Sequence, residues 1–324
     1  MSNNEWEEVY KSEYTKEVYS QNQIYSSDTG DFYVREVYFF NLGNEGVIIL
    51  NSSDVKSLIS TNTFENSSRN DRGGSIYIKE GQSSIRKVCS FGSKSTGTGA
   101  FCYVRSSDDP TKVNEVHDSS ITYSNRGDRI SSVTLALSFG NNSFFQNNIT
   151  RNYGQSNTAF QIGYGQGTSS IKYSIIDENY ANSRICWTGF KPTKYDSIVF
   201  TNNTVSNPDG WPSMIFCYTS DVTLENCFIA NNKQNGLYLF GIGAYYGSIT
   251  VSNSYIDTTE LLYNPSQNVK IGPNKNVTLE LHFLSTELCP GGDYFVNFGK
   301  GNKVIFTELI HLQGFEESIA SIVS

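Results

Sequence analysis

The sequence predicts an all-β solenoid of about eight coils with a cap at each end. A short apolar strand recurs at intervals of 21 to 34 residues from about residue 47 to residue 240, and a second strand that ends in asparagines follows each copy. Composition agrees, since aromatic residues make up 14% of the chain, charged residues only 17%, and prolines number 7. Strands repeated at this period, with no helical pattern inside the unit, are typical of a β-solenoid.

The first strand of each repeat alternates between two faces, as a half-buried strand does. One face is apolar in every copy, so it predicts the interior, and the same period places Trp187 and Tyr218 inside. The opposite face is predicted to point outward and carries Cys102, Cys186 and Cys217. The predicted inward column consists of Ile48, Ile76, Phe101, Leu135, Phe160, Ile185, Phe216 and Leu237.

Asparagines follow the second strand of most repeats. Asparagine tolerates left-handed backbone angles and suits a sharp turn that returns in every coil. Coils stacked ~4.8 Å apart place these amides close enough to hydrogen-bond along the stack as a ladder. We therefore interpret them as structural; saccharide ligation is the alternative. They are Asn66, Asn125, Asn147, Asn148, Asn179, Asn202, Asn203, Asn231 and Asn232.

The two ends of the chain read as caps. Residues 1–32 are predicted as an N-terminal cap, residues 33–290 as the solenoid, and residues 291–324 as a C-terminal strand and cap. Some cover is required because an open solenoid end is a sheet edge that recruits other chains.

Short motifs resemble those of a known family. Gly73-Gly74-Ser75-Ile76 resembles the GGA[IVL] motif of polymorphic outer-membrane proteins, and Phe144-Phe145-Gln146-Asn147 and Phe228-Ile229-Ala230-Asn231 resemble their FxxN motif. More broadly, the chain is similar to right-handed parallel β-helix proteins of the pectin-lyase-like superfamily, including uncharacterised protist surface proteins. The resemblance implies a right-handed parallel β-helix displayed at a cell surface or outside the cell, as adhesins are.

Charge and hydropathy exclude several function classes. The formal net charge of −8 argues against a nucleic-acid partner, since no basic stripe is available to neutralise phosphates. No run of about 18 apolar residues is present to span a membrane, and the acidic, polar N-terminal residues predict no signal peptide. No cofactor motif appears. A protein or a carbohydrate at a cell surface is the partner we expect.

The cysteines and histidines indicate no metal site. The six cysteines form no CxxC pair and the three histidines are widely spaced, so no zinc spacing occurs. Cys186 and Cys217 are predicted on adjacent coils, where either a ladder of free thiols or a disulfide fits.

An enzyme is the alternative function class. The superfamily resemblance implies a polysaccharide lyase or glycoside hydrolase acting on acidic polysaccharide, and grouped carboxylates are needed for that chemistry. Asp177 and Glu178, at an asparagine-turn position, are the catalytic candidates. They are weak candidates because neighbouring coils have no aspartates at matching positions. Trp211, Tyr245 and Tyr246 are weak candidates for sugar stacking on loops.

We expect a non-enzymatic surface or interaction scaffold that is adhesin-like. Solenoids offer long faces whose loops vary freely, and the loops here vary most at residues 104–130, 188–195 and 204–213. A structural fibre subunit that assembles end to end is a third class.

Overall fold

The chain winds as a parallel β-solenoid of about eight turns, as predicted. The structure, a computed structural model, describes residues 4–12, 18–19, 21–126, 131–206, 213–243, 246–257, 261–298 and 304–309. In these ranges each turn contributes one strand to each of three parallel sheets, here called sheets 1, 2 and 3 in the order in which the chain passes through them.

The three sheets contain 11, 9 and 9 strands in the described ranges. Sheet 1 consists of Val18–Tyr19, Phe32–Arg35, Lys56–Ser60, Gln82–Arg86, Val113–His117, Asn141–Phe145, Ser169–Lys172, Thr193–Asp196, Asp221–Glu225, Ser248–Ser252 and Val269–Ile271. Sheet 2 consists of Tyr38–Phe40, Thr63–Glu65, Cys89–Phe91, Ser120–Thr122, Asn148–Thr150, Ile175–Asp177, Val199–Thr201, Phe228–Ala230 and Tyr255–Ile256. Sheet 3 consists of Tyr25–Ser27, Ile48–Leu50, Ile76–Glu80, Cys102–Ser106, Leu135–Ser138, Phe160–Gly163, Cys186–Gly189, Ser213–Tyr218 and Tyr238–Ile242.

Short strands bridge sheet 2 to sheet 3. They pair as Ser68–Arg69 with Lys94–Ser95, and as a three-stranded sheet of Tyr153–Gly154, Tyr180–Ala181 and Thr204–Val205. The remaining described elements are the helix Asn4–Tyr10 and an antiparallel sheet of Thr278–His282, Asp293–Phe298 and Val304–Leu309.

An amide ladder of the predicted kind is present, with Asn179, Asn203 and Asn232 in it as predicted and Asn152, which was not predicted, at its start. Asn152 Nδ2 donates to Asn179 Oδ1, Asn179 Nδ2 to Asn203 Oδ1, and Asn203 Nδ2 to Asn232 Oδ1, each at 3.1 Å. The residues just before them, Asn202 and Asn231 among them, hold the left-handed bend with φ of 52° and 57°. At each turn, therefore, the first residue adopts the left-handed bend and the next residue hydrogen-bonds through its side-chain amide to the neighbouring coil.

The phase of the core in sheet 3 differs from the prediction. Registered pairs place the following residues in one inward column: Ile48, Ile76, Cys102, Leu135, Phe160, Cys186, Ile215 and Phe240. Phe101 and Ile185 are buried in the core as predicted, but each lies one residue before this column.

The predicted outward direction of Cys102, Cys186 and Cys217 is therefore wrong, since they are 0–1% exposed and belong to the core cluster. Phe216, predicted to point inward, instead lies on the outer face with the Arg184 guanidinium 4.4 Å from its ring. The physical reason is that the core starts one residue before several strands. Two consecutive side chains, such as Phe101 and Cys102, then point inward and reset the alternation.

Segments from both ends of the chain pack on the outside of the solenoid. On sheet 1, Trp6 of the helix is fully buried against Tyr33 and Leu58. On sheet 2, Val277, Leu279, Leu281, Phe283 and Val296 cover Ile175, Val199, Phe228 and Ala230. On the outer face of sheet 3, Val133 packs on Tyr103 and Ala136, and a groove forms beside this small cluster.

Candidate functional site

A column of aromatic side chains stands at the end of the sheet 3 strands, where each coil turns towards sheet 1. Phe139, Tyr164 and Phe190 have left-handed backbones with φ of 63°, 65° and 66°. Each amide donates to a carbonyl of the next coil, at 3.0, 3.1 and 2.9 Å. Non-glycine residues rarely adopt this conformation, and the hydrogen bonds between coils hold the backbone in it at all three positions.

Trp187 and Tyr218 of the same sheet join this column on the outer face. Ring centroids lie 6.1 Å apart for Phe139 and Tyr164, 5.2 Å for Tyr164 and Trp187, 5.0 Å for Tyr164 and Phe190, and 5.2 Å for Phe190 and Tyr218. Phe190 is 45% exposed, whereas Trp187 is 7% exposed because its neighbours stack on it. We call Phe139, Tyr164, Trp187, Phe190 and Tyr218 the aromatic shelf.

The shelf corrects one prediction. Trp187 and Tyr218 were expected inside the solenoid, but Trp187 pairs in register with the outward Gln161, and its neighbour Cys186 occupies the core column. The one-residue reset described above moves both aromatic side chains from the interior to the surface.

A groove of about 350 Å³ borders the shelf. Its walls include Arg72, Tyr103, Arg105, Gln161 and two shelf residues. The Arg105 guanidinium lies 5.1 Å from the centre of the Phe139 ring, and that of Arg72 lies 5.1 Å from Tyr103. Stacked arginines of this kind remain cationic and keep hydrogen-bond donors available to a ligand. The groove therefore combines apolar ring faces with positive charge.

A chain of polar side chains ends at the shelf. Arg184 donates to Asn157 Oδ1 at 3.5 Å, Asn157 Nδ2 donates to Gln161 Oε1 at 3.3 Å, and Gln161 Nε2 donates to the Tyr164 hydroxyl at 3.3 Å. Burial raises the pKa of Tyr164 above its ordinary value, with the nearby Tyr103 adding to the shift. Tyr164 consequently stays protonated at neutral pH, and its hydroxyl remains able to donate.

Lys191 supports the shelf from beneath. Its side chain is 2% exposed, and its ammonium donates to the carbonyl oxygens of Phe139 and Gly140, which lie two coils earlier in the chain. Burial lowers its pKa to about 8, while the carboxylate of Asp108 opposes that shift. A buried lysine held by backbone carbonyls fixes the turn that carries Phe139 relative to the turn that carries Phe190.

The two carboxylates singled out from the sequence lie elsewhere, on sheet 2. Asp177 Oδ1 accepts hydrogen bonds from Thr201 Oγ1 at 2.7 Å and Asn202 Nδ2 at 2.8 Å, and burial raises its pKa. Glu178 has a left-handed backbone with φ of 50°, and its Oε2 lies 2.5 Å from Arg151 Nε. Each carboxylate thus has partners that fix a turn between coils.

Of the predicted sugar-stacking residues, the described Tyr246 is not brought together with the groove. Tyr246 is 82% exposed, and no shelf residue is among its ring contacts in the described chain. Trp211 and Tyr245 lie outside the described residues.

Of the two alternatives left by the sequence, the structure has free thiols at Cys186 and Cys217 and no disulfide between them, although the two do not align as a ladder. Cys102, Cys186, Cys217 and Cys227 are free and buried, and Cys89 is joined to Cys289 across 200 residues. Registered pairs place Cys186 opposite Ile215 and Cys217 opposite Thr188, so the two thiols are offset along the strands. Among the described residues, no group of three His, Cys, Asp or Glu side chains is arranged to hold a metal ion.

Sequence reasoning missed most of the shelf. Phe139, Tyr164 and Phe190 fall after the strands, where the period-two pattern ends and gives no direction for a side chain. One signal was present, because Phe139 and Phe190 each follow a sheet 3 strand directly and Tyr164 follows Gly163 in the same position. Aligning repeats on the strand end rather than the strand centre would have shown the column.

The fold and the groove define a β-solenoid with an aromatic, arginine-bordered surface groove. Comparison with known proteins finds no matching family description, no matching curated protein and no matching solved structure.

Proposed function

We propose that this chain is a non-enzymatic, adhesin-like binding scaffold whose ligand is a carbohydrate held on the aromatic shelf. One observation carries the proposal: Phe139 and Tyr164, at one end of the aromatic shelf, line a groove that also presents Arg72, Arg105 and Gln161, and the other shelf rings continue this apolar surface beyond it. Binding sites for small ligands combine mainly apolar walls with a few polar groups that fix orientation, and this groove has that composition.

Rigidity favours binding at this surface. The shelf backbones are hydrogen-bonded between coils, and Lys191 holds their turns from beneath. A preformed surface loses little conformational entropy when a ligand binds, so weak stacking contacts add up to useful affinity. The ring faces suit the apolar face of a pyranose, and the arginines and Gln161 suit its hydroxyl or carboxylate oxygens.

The disulfide supports a location outside the reducing cytosol. Cys89–Cys289 joins residues 200 apart, and disulfides persist mainly in secreted and surface proteins. The resemblance to β-helix proteins displayed as adhesins agrees with this location. Among the described residues, no helix is long and apolar enough to cross a membrane.

A glycan array followed by calorimetry tests the proposal. We expect one class of glycan to bind, and we expect Phe190→Ala to weaken that binding about tenfold, since stacking on one aromatic ring contributes about 1.4 kcal/mol and this corresponds to a tenfold change in Kd. Tyr173→Ala is the matched control, because Tyr173 is also an exposed aromatic residue with a left-handed backbone, outside the groove. Absence of glycan binding, or equal weakening by both variants, would contradict the proposal.

The enzymatic alternative remains a polysaccharide lyase or hydrolase acting on acidic polysaccharide. Arg72 and Arg105 favour it, since guanidinium groups pair with uronate carboxylates. Incubation with pectins and other uronic-acid polymers, with and without calcium, measures unsaturated products and new reducing ends. Turnover abolished by Asp177→Asn or Glu178→Gln would assign the reaction to sheet 2, and turnover abolished by Arg105→Ala would assign it to the groove.

A further inference from the structure

The C-terminal segment of residues 277–298, here called the strap, runs back along the outside of sheet 2. Its first part is held by apolar contacts, because Leu279 and Leu281 are 7% and 1% exposed and cover Ile175, Val199 and Phe228. Burying large apolar side chains contributes roughly 1.5–3 kcal/mol each. This end of the strap is therefore secured by ordinary packing.

The next part of the strap is held in a different way. Residues 284–290 form a loop closed by hydrogen bonds from Phe283 N to Gly292 O and from Thr286 N to Cys289 O, both 2.9 Å. We call this segment the latch loop. Its contacts to sheet 2 include the Cys89–Cys289 disulfide, Ser120 Oγ donating to Leu284 O at 2.7 Å, and Asn148 Nδ2 donating to Pro290 O at 3.5 Å. Two hydroxyls also donate to the disulfide sulfurs, Thr286 Oγ1 to Cys89 Sγ at 3.3 Å and Thr122 Oγ1 to Cys289 Sγ at 3.9 Å.

The surface of sheet 2 beneath the strap changes from apolar to polar where the latch loop begins. Registered pairs put Cys89, Ser120, Asn148, Ile175, Val199 and Phe228 in one outward column of sheet 2. The apolar members lie under the packed part of the strap, and the polar members lie under the latch loop. Asn148 is 1% exposed and its Oδ1 has no hydrogen-bond partner, so covering this polar patch costs free energy.

We propose that Cys89–Cys289 is a redox-operated latch over a cryptic polar surface formed by Ser120, Thr122 and Asn148. The disulfide keeps the latch loop closed in oxidising surroundings. Both cysteines are fully buried in the closed loop, so a dithiol reductant reaches them when the loop opens locally. One thiolate then attacks a sulfur of the pair and forms a mixed disulfide, and the second thiolate of the reductant displaces it. The reductant becomes a cyclic disulfide, and its two electrons and two protons end on Cys89 and Cys289 as thiols.

Opening is confined to the latch loop. After reduction the loop is held by the hydrogen bonds from Ser120 and Asn148 and by those of Thr122 and Thr286 to the cysteine sulfurs, and water satisfies these polar groups once the loop lifts. Leu279 and Leu281 keep their packing, and the amide ladder and core of the solenoid do not depend on the disulfide. The four remaining thiols stay in the interior.

Thiol labelling of the folded protein with iodoacetamide tests the latch. The chain has six cysteines, and we expect no labelling in the oxidised protein, labelling of Cys89 and Cys289 after dithiothreitol, and labelling of Cys102, Cys186, Cys217 and Cys227 only in denaturant. Hydrogen exchange should rise at least tenfold for amides of residues 284–289 on reduction, with no change at Leu279 and Leu281. Labelling of all six thiols on reduction would overturn the proposal, since the disulfide would then hold the whole fold.

Two variants make the test independent of the reductant. Cys289→Ser should open the latch loop without any reductant, so Cys89 is labelled and the exchange of residues 284–290 matches that of the reduced protein. The double variant Cys89→Ser with Cys289→Ser should exchange rapidly whether or not dithiothreitol is present. If Cys89 stays unlabelled in Cys289→Ser, the latch loop is closed without the disulfide and the proposal fails. Binding at the aromatic shelf lies on another sheet and should be the same in all of these states.

Discussion

The outer faces of sheets 2 and 3 come from the same repeat but meet solvent in opposite ways. In sheet 2 the outward column becomes apolar at Ile175, Val199 and Phe228, and the strap covers it. In sheet 3 the outward side carries the aromatic shelf, and Phe190 remains 45% exposed. An outward position in a solenoid can therefore be buried by another segment of the chain or left exposed as a binding surface, and the chemistry of its side chain decides which of the two occurs.

The two faces differ in what their side chains can offer to water. Isoleucine and valine have no polar group, so a strip of them is stable only when another segment buries it. The shelf rings have Arg105, Gln161 and the Tyr164 hydroxyl beside them, which keep that surface hydrated without a cover. This contrast predicts that equal substitutions on the two faces have unequal costs.

The largest expected effect is the loss of stability in Phe228→Ala. Phe228 is fully buried between sheet 2 and the strap, so lost burial and a cavity should lower the free energy of unfolding by about 3–5 kcal/mol. Phe190→Ala is the matched variant on sheet 3 and should cost less than about 1 kcal/mol. Urea denaturation measures both, and similar costs would show that the shelf is packed as tightly as the covered face.

The next effect concerns the phase of the core. Cys186→Ser should lower the free energy of unfolding by about 1–3 kcal/mol, because the serine hydroxyl would lie unpaired among apolar side chains. Gln161→Ala, at an outward position one coil away, should change it by less than about 0.5 kcal/mol. Denaturation under reducing conditions compares them, and a neutral Cys186→Ser would mean that the thiol points outward after all.

A smaller effect arises beneath the shelf from Lys191. Its pKa is lowered by burial from 10.5 to about 8, so between these values the unfolded chain binds more protons than the folded chain. The free energy of unfolding should therefore rise with pH from about pH 8 to pH 10.5 because of this residue.

Lys191→Met should lack that rise, whereas Lys194→Met, at an exposed position on sheet 1, should retain it. Urea denaturation at several pH values gives the difference between each variant and the unmodified protein. Parallel pH profiles for Lys191→Met and the unmodified protein would show that the ammonium is solvated.

The smallest effect is expected at the uncovered edge of sheet 2. Glu178 and Arg151 form an ion pair with both side chains nearly half exposed. Exposed pairs contribute little, so Glu178→Gln should cost less than about 1 kcal/mol, and less still at high salt. Arg151→Gln should behave in the same way, and a large loss from Glu178→Gln alone would indicate another role for that carboxylate.

The sequence by itself determined the solenoid, its coil number and the asparagine turns. These features are encoded locally: alternation over four residues makes a strand, and an asparagine with a left-handed neighbour makes the bend. Because every coil repeats the same local signals, a misreading of one repeat is corrected by aligning it with the others. Asn179 and Asn203 could therefore be assigned to the ladder from the sequence.

The tertiary structure decided which side of each strand faces the core, which face is covered and where the groove forms. The direction of Cys186 depends on where the chain enters the strand, and a shift of one residue reverses every side chain. The cover of Phe228 and the pairing of Cys89 with Cys289 depend on a segment that returns from 200 residues away. Periodicity carries no information about such contacts, because they are fixed by which surfaces the folded coils bring together.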